Sequence, residues 1–189
     1  MQSFEDMWAG EEIRKVLKEN GVAVMPTDTI YGIVGKALNK DTVLRIYDIK
    51  KRAPEKPFII LIGNITELEK FFIYLPLEQK EILLKYWPGP VSIILDCEDE
   101  EFSYLHRGTK TLAFRMPKSD SLQSLLMEVG PLVAPSANPE GLPPAENIEE
   151  AKKYFGDEID YYMDIGRLVG KPSKLIRLNK DNTIDILRE

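Results

Sequence analysis

Two short apolar runs, Val22 to Met25 and Pro131 to Ala134, constrain this chain most, because each reads as a buried strand that stops abruptly in polar chemistry. The first breaks into Pro26-Thr27-Asp28-Thr29-Ile30-Tyr31-Gly32, the second into Pro135-Ser136-Ala137-Asn138. Small polar groups at the ends of buried strands face a crevice, which is where open α/β sheets bind ligands. Between the two lies a cationic stretch, Lys50-Lys51-Arg52 with Lys56-Pro57, able to supply counter-charge to an anion.

The remaining patterns supply the framework. Apolar spacing from Trp8 through Ile13, Val16 and Leu17 predicts a helix stopped by Asn20-Gly21. Asn39 or Asp41 caps a second helix that turns Val43, Ile46, Tyr47 and Ile49 inward and runs toward Lys50. Strands are predicted at 58–62, 91–95 and 111–114, the middle one fed by the rigid turn Trp87-Pro88-Gly89-Pro90. Helical patterns cover 68–72 and 77–86, and Ser119 or Asp120 caps a helix with Leu122, Leu125 and Leu126 inward. A Pro/Gly loop (136–145), a helix over 148–154 and strands at 161–165, 175–178 and 184–187 complete the chain. With no repeat and no linker, one α/β (α+β) domain is expected over residues 1–189, a twisted mixed sheet with flanking helices.

Charge and cysteine content exclude several classes. One cysteine (Cys97) and one histidine (His106) allow neither an internal disulfide nor a Cys/His zinc site, so no structural metal is expected. Met1 to Gly10 has no secretory pattern, and no apolar run approaches the roughly 20 residues that span a bilayer. A cytoplasmic protein with no membrane partner is expected. The formal net charge of −6 opposes bulk affinity for nucleic acid. Cations nevertheless gather at 50–56, at Arg107, Lys110, Arg115 and Lys118, and at Arg167, Lys171, Lys174 and Arg177. Brought together they make a basic cleft; left apart they are solvated surface.

Each candidate residue has two readings. Thr27, Asp28 and Thr29 either hold a small amino acid or sugar, or form a turn that bonds its own backbone. Lys50 and Arg52 either clamp phosphate or carboxylate, or cap a helix C-terminus, with Pro54 and Pro57 restricting the loop. Ser136 either donates a hydrogen bond to phosphate or ribose or closes a plain strand-end turn; a nucleophile is disfavoured, since no G-x-S-x-G elbow occurs. Arg115, emerging from an apolar strand beside Met116-Pro117, is a candidate carboxylate binder. Neither a Walker A loop nor G-x-G-x-x-G is present, so a bound nucleotide has to be held by side chains and strand-end amides.

In this order, the Pro26–Gly32 segment, Lys50-x-Arg52, Lys56-Pro57, Trp87-Pro88-Gly89-Pro90, Arg115-Met116-Pro117, Ala134-Pro135-Ser136-Ala137-Asn138 and Pro172-Ser173 resemble the motifs of the YrdC-type threonylcarbamoyl-AMP synthases, short single-domain form. The similarity runs from about Gly21 to Arg188. It implies a YrdC-like fold around one large cationic cavity, and a nucleotidyltransferase making threonylcarbamoyl-AMP and pyrophosphate from L-threonine, bicarbonate or CO2, and ATP. Mg²⁺ is expected with the ATP, none of it held by protein side chains. The product would serve a tRNA-modifying transferase complex that makes threonylcarbamoyladenosine.

By the same resemblance, Thr29, Arg115, Ala134 and Ser173 surround threonine. Arg52, Lys56, Thr111, Ser136, Pro144 and Arg188 surround ATP, and Lys50, Arg52, Ser136 and Asn138 form a catalytic tetrad. No general base is evident, and positioning is expected to supply most of the catalysis. Three positions depart from the pattern: Lys174 replaces a small hydroxyl residue, Leu61 a histidine of some members, and Pro144 a hydroxyl residue of some members. The C-terminal accessory domain of longer members is not expected. The alternatives are a module that binds double-stranded RNA or tRNA in the cavity, and a carbamoyl-transfer relative acting on another acceptor.

Overall fold

The first buried run forms β1 (Ala23–Pro26), and the polar segment after it turns tightly into β2 (Tyr31–Lys36), with Ala23 opposite Val34 and Pro26 opposite Tyr31. This is a computed structural model that describes Trp8, residues 10–53 and residues 55–189; Pro54 and most of Met1 to Gly10 lie outside the described residues. β2 is a strand that periodicity misses. Five of its six residues are buried, so it shows no polar alternation, and Gly32 and Gly35 lower its apparent strand character. Gly35 is there for packing: a Cβ would stand 2.4 Å from the Thr42 methyl and 3.0 Å from Ile46. The helix over β2 can approach that closely only against glycine.

That helix is α2 (Lys40–Lys50), and α1 (Glu11–Lys18) precedes the hairpin. Asn39, not Asp41, caps α2, its side chain accepting from Thr42 N at 2.9 Å. The chain continues through β3 (Ile59–Leu61), a 3₁₀ helix (Ile65–Phe71) where a helical pattern was read, and α3 (Leu77–Leu83). Then come β4 (Val91–Asp96), the short α4 (Ser103–His106), β5 (Thr111–Arg115) and α5 (Asp120–Val129), capped by Ser119. Last are β6 (Leu132–Val133), α6 (Ile148–Phe155), β7 (Tyr161–Tyr162, shorter than the predicted run), β8 (Lys174–Leu178) and β9 (Ile184–Arg188).

The nine described strands form one mixed sheet in the order β7-β1-β2-β6-β3-β5-β4-β8-β9. β1–β7, β3–β5 and β4–β8 are parallel and the other pairs antiparallel. Alternate residues of the central strands feed two cores. Val24, Ile33, Ile60 and Val133 join α2 and α6 on one side. Ala23, Met25, Val34, Leu61 and Leu132 join α1 and α5 on the other. The expected twisted mixed sheet with helices on its faces is therefore the observed architecture. Its centre is buried on both faces, and the loops at one end of β1, β2, β5 and β6 converge.

Candidate active site

The two polar segments, far apart in sequence, touch. Ile33 N donates to Pro135 O at 2.9 Å, Ala137 N donates to Tyr31 O at 3.0 Å, and Gly32 faces Ser136 in an isolated antiparallel bridge. A Cβ on Gly32 would stand 3.3 Å from Pro135 O, so glycine permits this close pairing. The Thr27 turn closes on itself: its hydroxyl accepts from Thr29 N (3.2 Å) and Ile30 N (3.3 Å) and donates to Ile30 O (2.8 Å). The self-bonded reading thus holds for Thr27. It fails for Asp28, whose Oδ1 lies 3.2 Å from Arg115 Nη2 and whose Oδ2 accepts from Lys118 N at 3.3 Å.

Lys50, the last residue of α2, is 1% exposed. Its ammonium donates to the main-chain oxygens of Ser136 and Asn138. Burial, reinforced by the Arg52 charge and partly offset by Glu140, pushes Lys50 down to about 7. Ser136 Oγ donates to Asn138 Oδ1 at 2.5 Å, and Asn138 Nδ2 donates to the carbonyls of Pro139 (3.0 Å) and Leu142 (2.6 Å). The tetrad members Lys50 and Asn138 are thus spent on fixing the loop that presents Ser136.

Arg52 is oriented from below and behind. Its Nε donates to Lys56 O (3.2 Å) and its Nη2 to Pro57 O (3.4 Å), and the guanidinium lies 5.4 Å from the Phe58 ring. Phe58 stacks on Tyr47 at 4.0 Å, and Arg107 covers the far face of that stack, 4.7 Å from the Tyr47 ring. Lys56 ion-pairs with Glu140, which also accepts from Ala53 N at 2.7 Å. Those hydrogen bonds hold the Glu140 carboxyl below its usual range.

The opposite wall comes from β8 and β9. Arg188 donates to Ser173 O through Nε (3.0 Å) and Nη2 (2.6 Å), and the buried hydroxyls of Ser92 and Ser173 lie 2.7 Å apart. Between the walls lies a cavity of about 380 Å³. Thr29, Arg115, Ala134, Ser173, Arg52, Thr111, Ser136, Pro144 and Arg188 all line it; Lys50, Lys56 and Asn138 do not. Three arginines and no acidic residue face it, so it is a basic cavity in an acidic protein.

That basicity draws on two of the three charge clusters of the sequence, through Arg52 and Arg115, and on Arg188, which lies outside them. Arg167, Lys174 and Arg177 are engaged with Glu146, Glu189 and Asp96 at the surface, and Lys110 with Glu100. The third cluster therefore contributes nothing to the wall. Among the departures, Leu61 is fully buried in the core and Lys174 stands off the cavity, while Pro144 lines it and offers only packing and its carbonyl. Thr109 is a lining residue that sequence reasoning missed; it sits in the turn before β5, accepting at its hydroxyl from Thr111 Oγ1 at 3.2 Å. Its signal, a hydroxyl two residues before a strand, is too common to single out.

A bidentate donor, hydroxyls and strand-end amides around one basic cavity suit a ligand carrying both carboxylate and phosphate. No group of three or more His, Cys, Asp or Glu among the described residues is arranged to hold a metal. No described helix is long and apolar enough to cross a membrane.

Comparison with known proteins shows which family the chain resembles. Residues 15–189 match the Sua5/YciO/YrdC family, described as telomere recombination. The threonylcarbamoyl-AMP synthase of Bacillus subtilis (strain 168) is 37% identical over 153 residues, 80% of this chain and 44% of that protein. The threonylcarbamoyl-AMP synthase of Halorhodospira halophila (strain DSM 244 / SL1) is 31% identical over 155 residues, 82% of this chain and 81% of that protein. The crystal structure of Pyrococcus abyssi Sua5 complexed with L-threonine superposes with a TM-score of 0.81 at 29% identity, covering 91% of this chain and 51% of that one. This chain spans about half the length of the Bacillus protein.

Proposed function

Because the chain belongs to the Sua5/YciO/YrdC family, we propose that it is an L-threonylcarbamoyladenylate synthase, converting L-threonine, bicarbonate or CO2, and ATP into threonylcarbamoyl-AMP and pyrophosphate. The observation that carries this reading is the single cavity in which Arg115, Arg52, Arg188 and Ser136 converge from four separate segments. Its volume and its three arginines suit one amino acid and one polyphosphate side by side.

In this reading the Arg115 guanidinium takes the threonine carboxylate, with Thr29, Ala134 and Ser173 around the rest of the amino acid. The free amine adds to CO2, one C–O π bond opens onto oxygen, and the nitrogen proton is lost to solvent, giving a carbamate. A carbamate oxygen then attacks the α-phosphorus, and the bond to the pyrophosphate oxygen breaks. Arg52 and Arg188 stabilise the phosphate charge that builds in this step, while Thr111, Ser136 and Pro144 border the nucleotide. Lys50 and Asn138 act through Ser136, and Lys56 acts through the loop that carries Arg52; all three are positioning residues. No acidic residue lines the cavity, so magnesium would arrive with the substrate as MgATP and offset phosphate charge there. The product is an activated carbamoyl adenylate, consumed by a transferase that modifies adenosine in tRNA, and the cytoplasm is the place of work.

Mass spectrometry of the reaction tests the reading. Threonylcarbamoyl-AMP is expected only when L-threonine, ATP and bicarbonate are all present. Arg52→Ala is expected to abolish it; full turnover by that variant at saturating substrates removes Arg52 from the chemistry.

A further inference from the structure

The three cavity arginines differ in what holds them. Arg52 and Arg188 rest on main-chain carbonyls, and neither forms an ion pair with a described carboxylate. Neither charge is offset by a paired carboxylate, which suits a polyanion. Arg115 is held by Asp28, the two side chains being 5% and 8% exposed. Asp28 is pinned from its other oxygen by Lys118 N, and Arg115 Nη2 also donates to Thr27 Oγ1 at 3.4 Å. One end of the cavity is therefore backed by a locked, net-neutral dipole.

The electrostatics follow the same division. Burial pushes the Arg115 pKa down, Asp28 pushes it back up, and Arg188 adds a smaller downward push. Arg115 Nε and Asp28 Oδ1 are both buried without a hydrogen-bond partner. Without Asp28, a buried guanidinium would stand uncompensated near Arg188 and attract any anion that enters.

We propose that Asp28 is a specificity residue: it reserves the Arg115 end of the cavity for an amino-acid zwitterion and turns phosphate and polyphosphate away from it. A zwitterion brings both signs to a neutral pair. A phosphate group, with a charge of about −1.5 to −2 near neutral pH, finds an Arg115 whose charge is already offset by Asp28, which itself lies off the cavity wall. A cavity that must seat an amino acid and a triphosphate without exchanging their places needs such a discriminating element. The assignment rests on the function proposed above.

The test uses pyrophosphate release and titration calorimetry, with L-threonine and inorganic phosphate as the two probes. The native protein is expected to bind L-threonine and to be insensitive to inorganic phosphate at that end. In Asp28→Asn the ratio of threonine to phosphate affinity is expected to fall about tenfold or more. Phosphate should then inhibit competitively with L-threonine and not with ATP, a pattern that a merely structural role does not produce. If Asp28→Asn does not fold, the charge-free pair Asp28→Asn/Arg115→Gln is made instead. It should lose threonine affinity without gaining phosphate inhibition, and phosphate inhibition in this double variant overturns the assignment. A folded Asp28→Asn protein with native selectivity overturns it alone. Absence of threonine-dependent turnover in the native protein overturns the proposed function, and this assignment with it.

Discussion

Gly170 offers a sharp test of how the loop before β8 meets the Thr27 turn. A Cβ at position 170 would stand 1.9 Å from Thr29 O and 3.1 Å from Thr29 C. Ordinary van der Waals contact begins at 3.4 Å, so in Gly170→Ala one segment must retreat by about 1.5 Å. Both neighbours are backbone, with no flexible side chain to yield. Overpacking of this kind costs about 1–3 kcal/mol, and in a chain of this size each kcal/mol lowers Tm by about 2–4 °C. The displacement also moves Thr29, which lines the cavity, so KM for L-threonine is expected to rise about tenfold or more. Thermal melting and pyrophosphate-release kinetics measure the two effects. Gly156→Ala is the control: φ is +50° there, nothing lies within 4 Å of the added Cβ, and Gly156 is not a cavity residue. It should lower Tm and leave KM for L-threonine unchanged. A Gly170→Ala protein with native Tm and native threonine KM would refute the close approach.

Lys50→Met keeps a long side chain but leaves the Ser136 and Asn138 carbonyls without their donor; steady-state kinetics should record a loss in kcat of about 100-fold, with KM for ATP changed far less. The same lysine sets a pH dependence of stability. Its folded value of about 7 lies below the ordinary 10.5, so between those values the unfolded chain holds a proton that the folded chain has lost. Stability from this group is lowest below about 7 and rises toward 10.5, and urea midpoints of the native protein relative to Lys50→Met should climb from pH 7 to pH 9; a constant difference contradicts this. Ser92→Ala leaves the Ser173 hydroxyl only the long hydrogen bond from Arg188 Nη2 at 3.5 Å, costing about 1 kcal/mol in chemical denaturation. A chelator should stop turnover without lowering Tm, because the ion belongs to the MgATP substrate.

What was legible in the sequence was set by local rules. The caps at Asn39 and Ser119, the inward rows of α2 and α5 and the breaks after the two apolar runs depend only on near neighbours. Lys50-x-Arg52 illustrates what was not. A pair two residues apart reads as one cationic clamp, yet the left-handed Lys51 (φ 49°) separates their directions. Lys50 turns into the Ser136 loop and Arg52 onto the Phe58 ring. Asp28 reads from sequence as part of a small-ligand site or as a turn residue, because its partner, Arg115, is 87 positions away and no periodicity encodes that pairing. β2 escaped for the opposite reason: burial on both faces erases the alternation by which strands are recognised. Charge clustering was only partly informative: Arg52 and Arg115 of the first two clusters line the cavity, Arg167, Lys174 and Arg177 of the third meet surface carboxylates, and the isolated Arg188 reaches the cavity.

The most direct measurement is pyrophosphate release from MgATP and bicarbonate, with L-threonine titrated from zero to saturation. The account predicts that release depends on L-threonine and disappears in Arg52→Ala. Release that ignores L-threonine, or none at all from the folded protein, would contradict it.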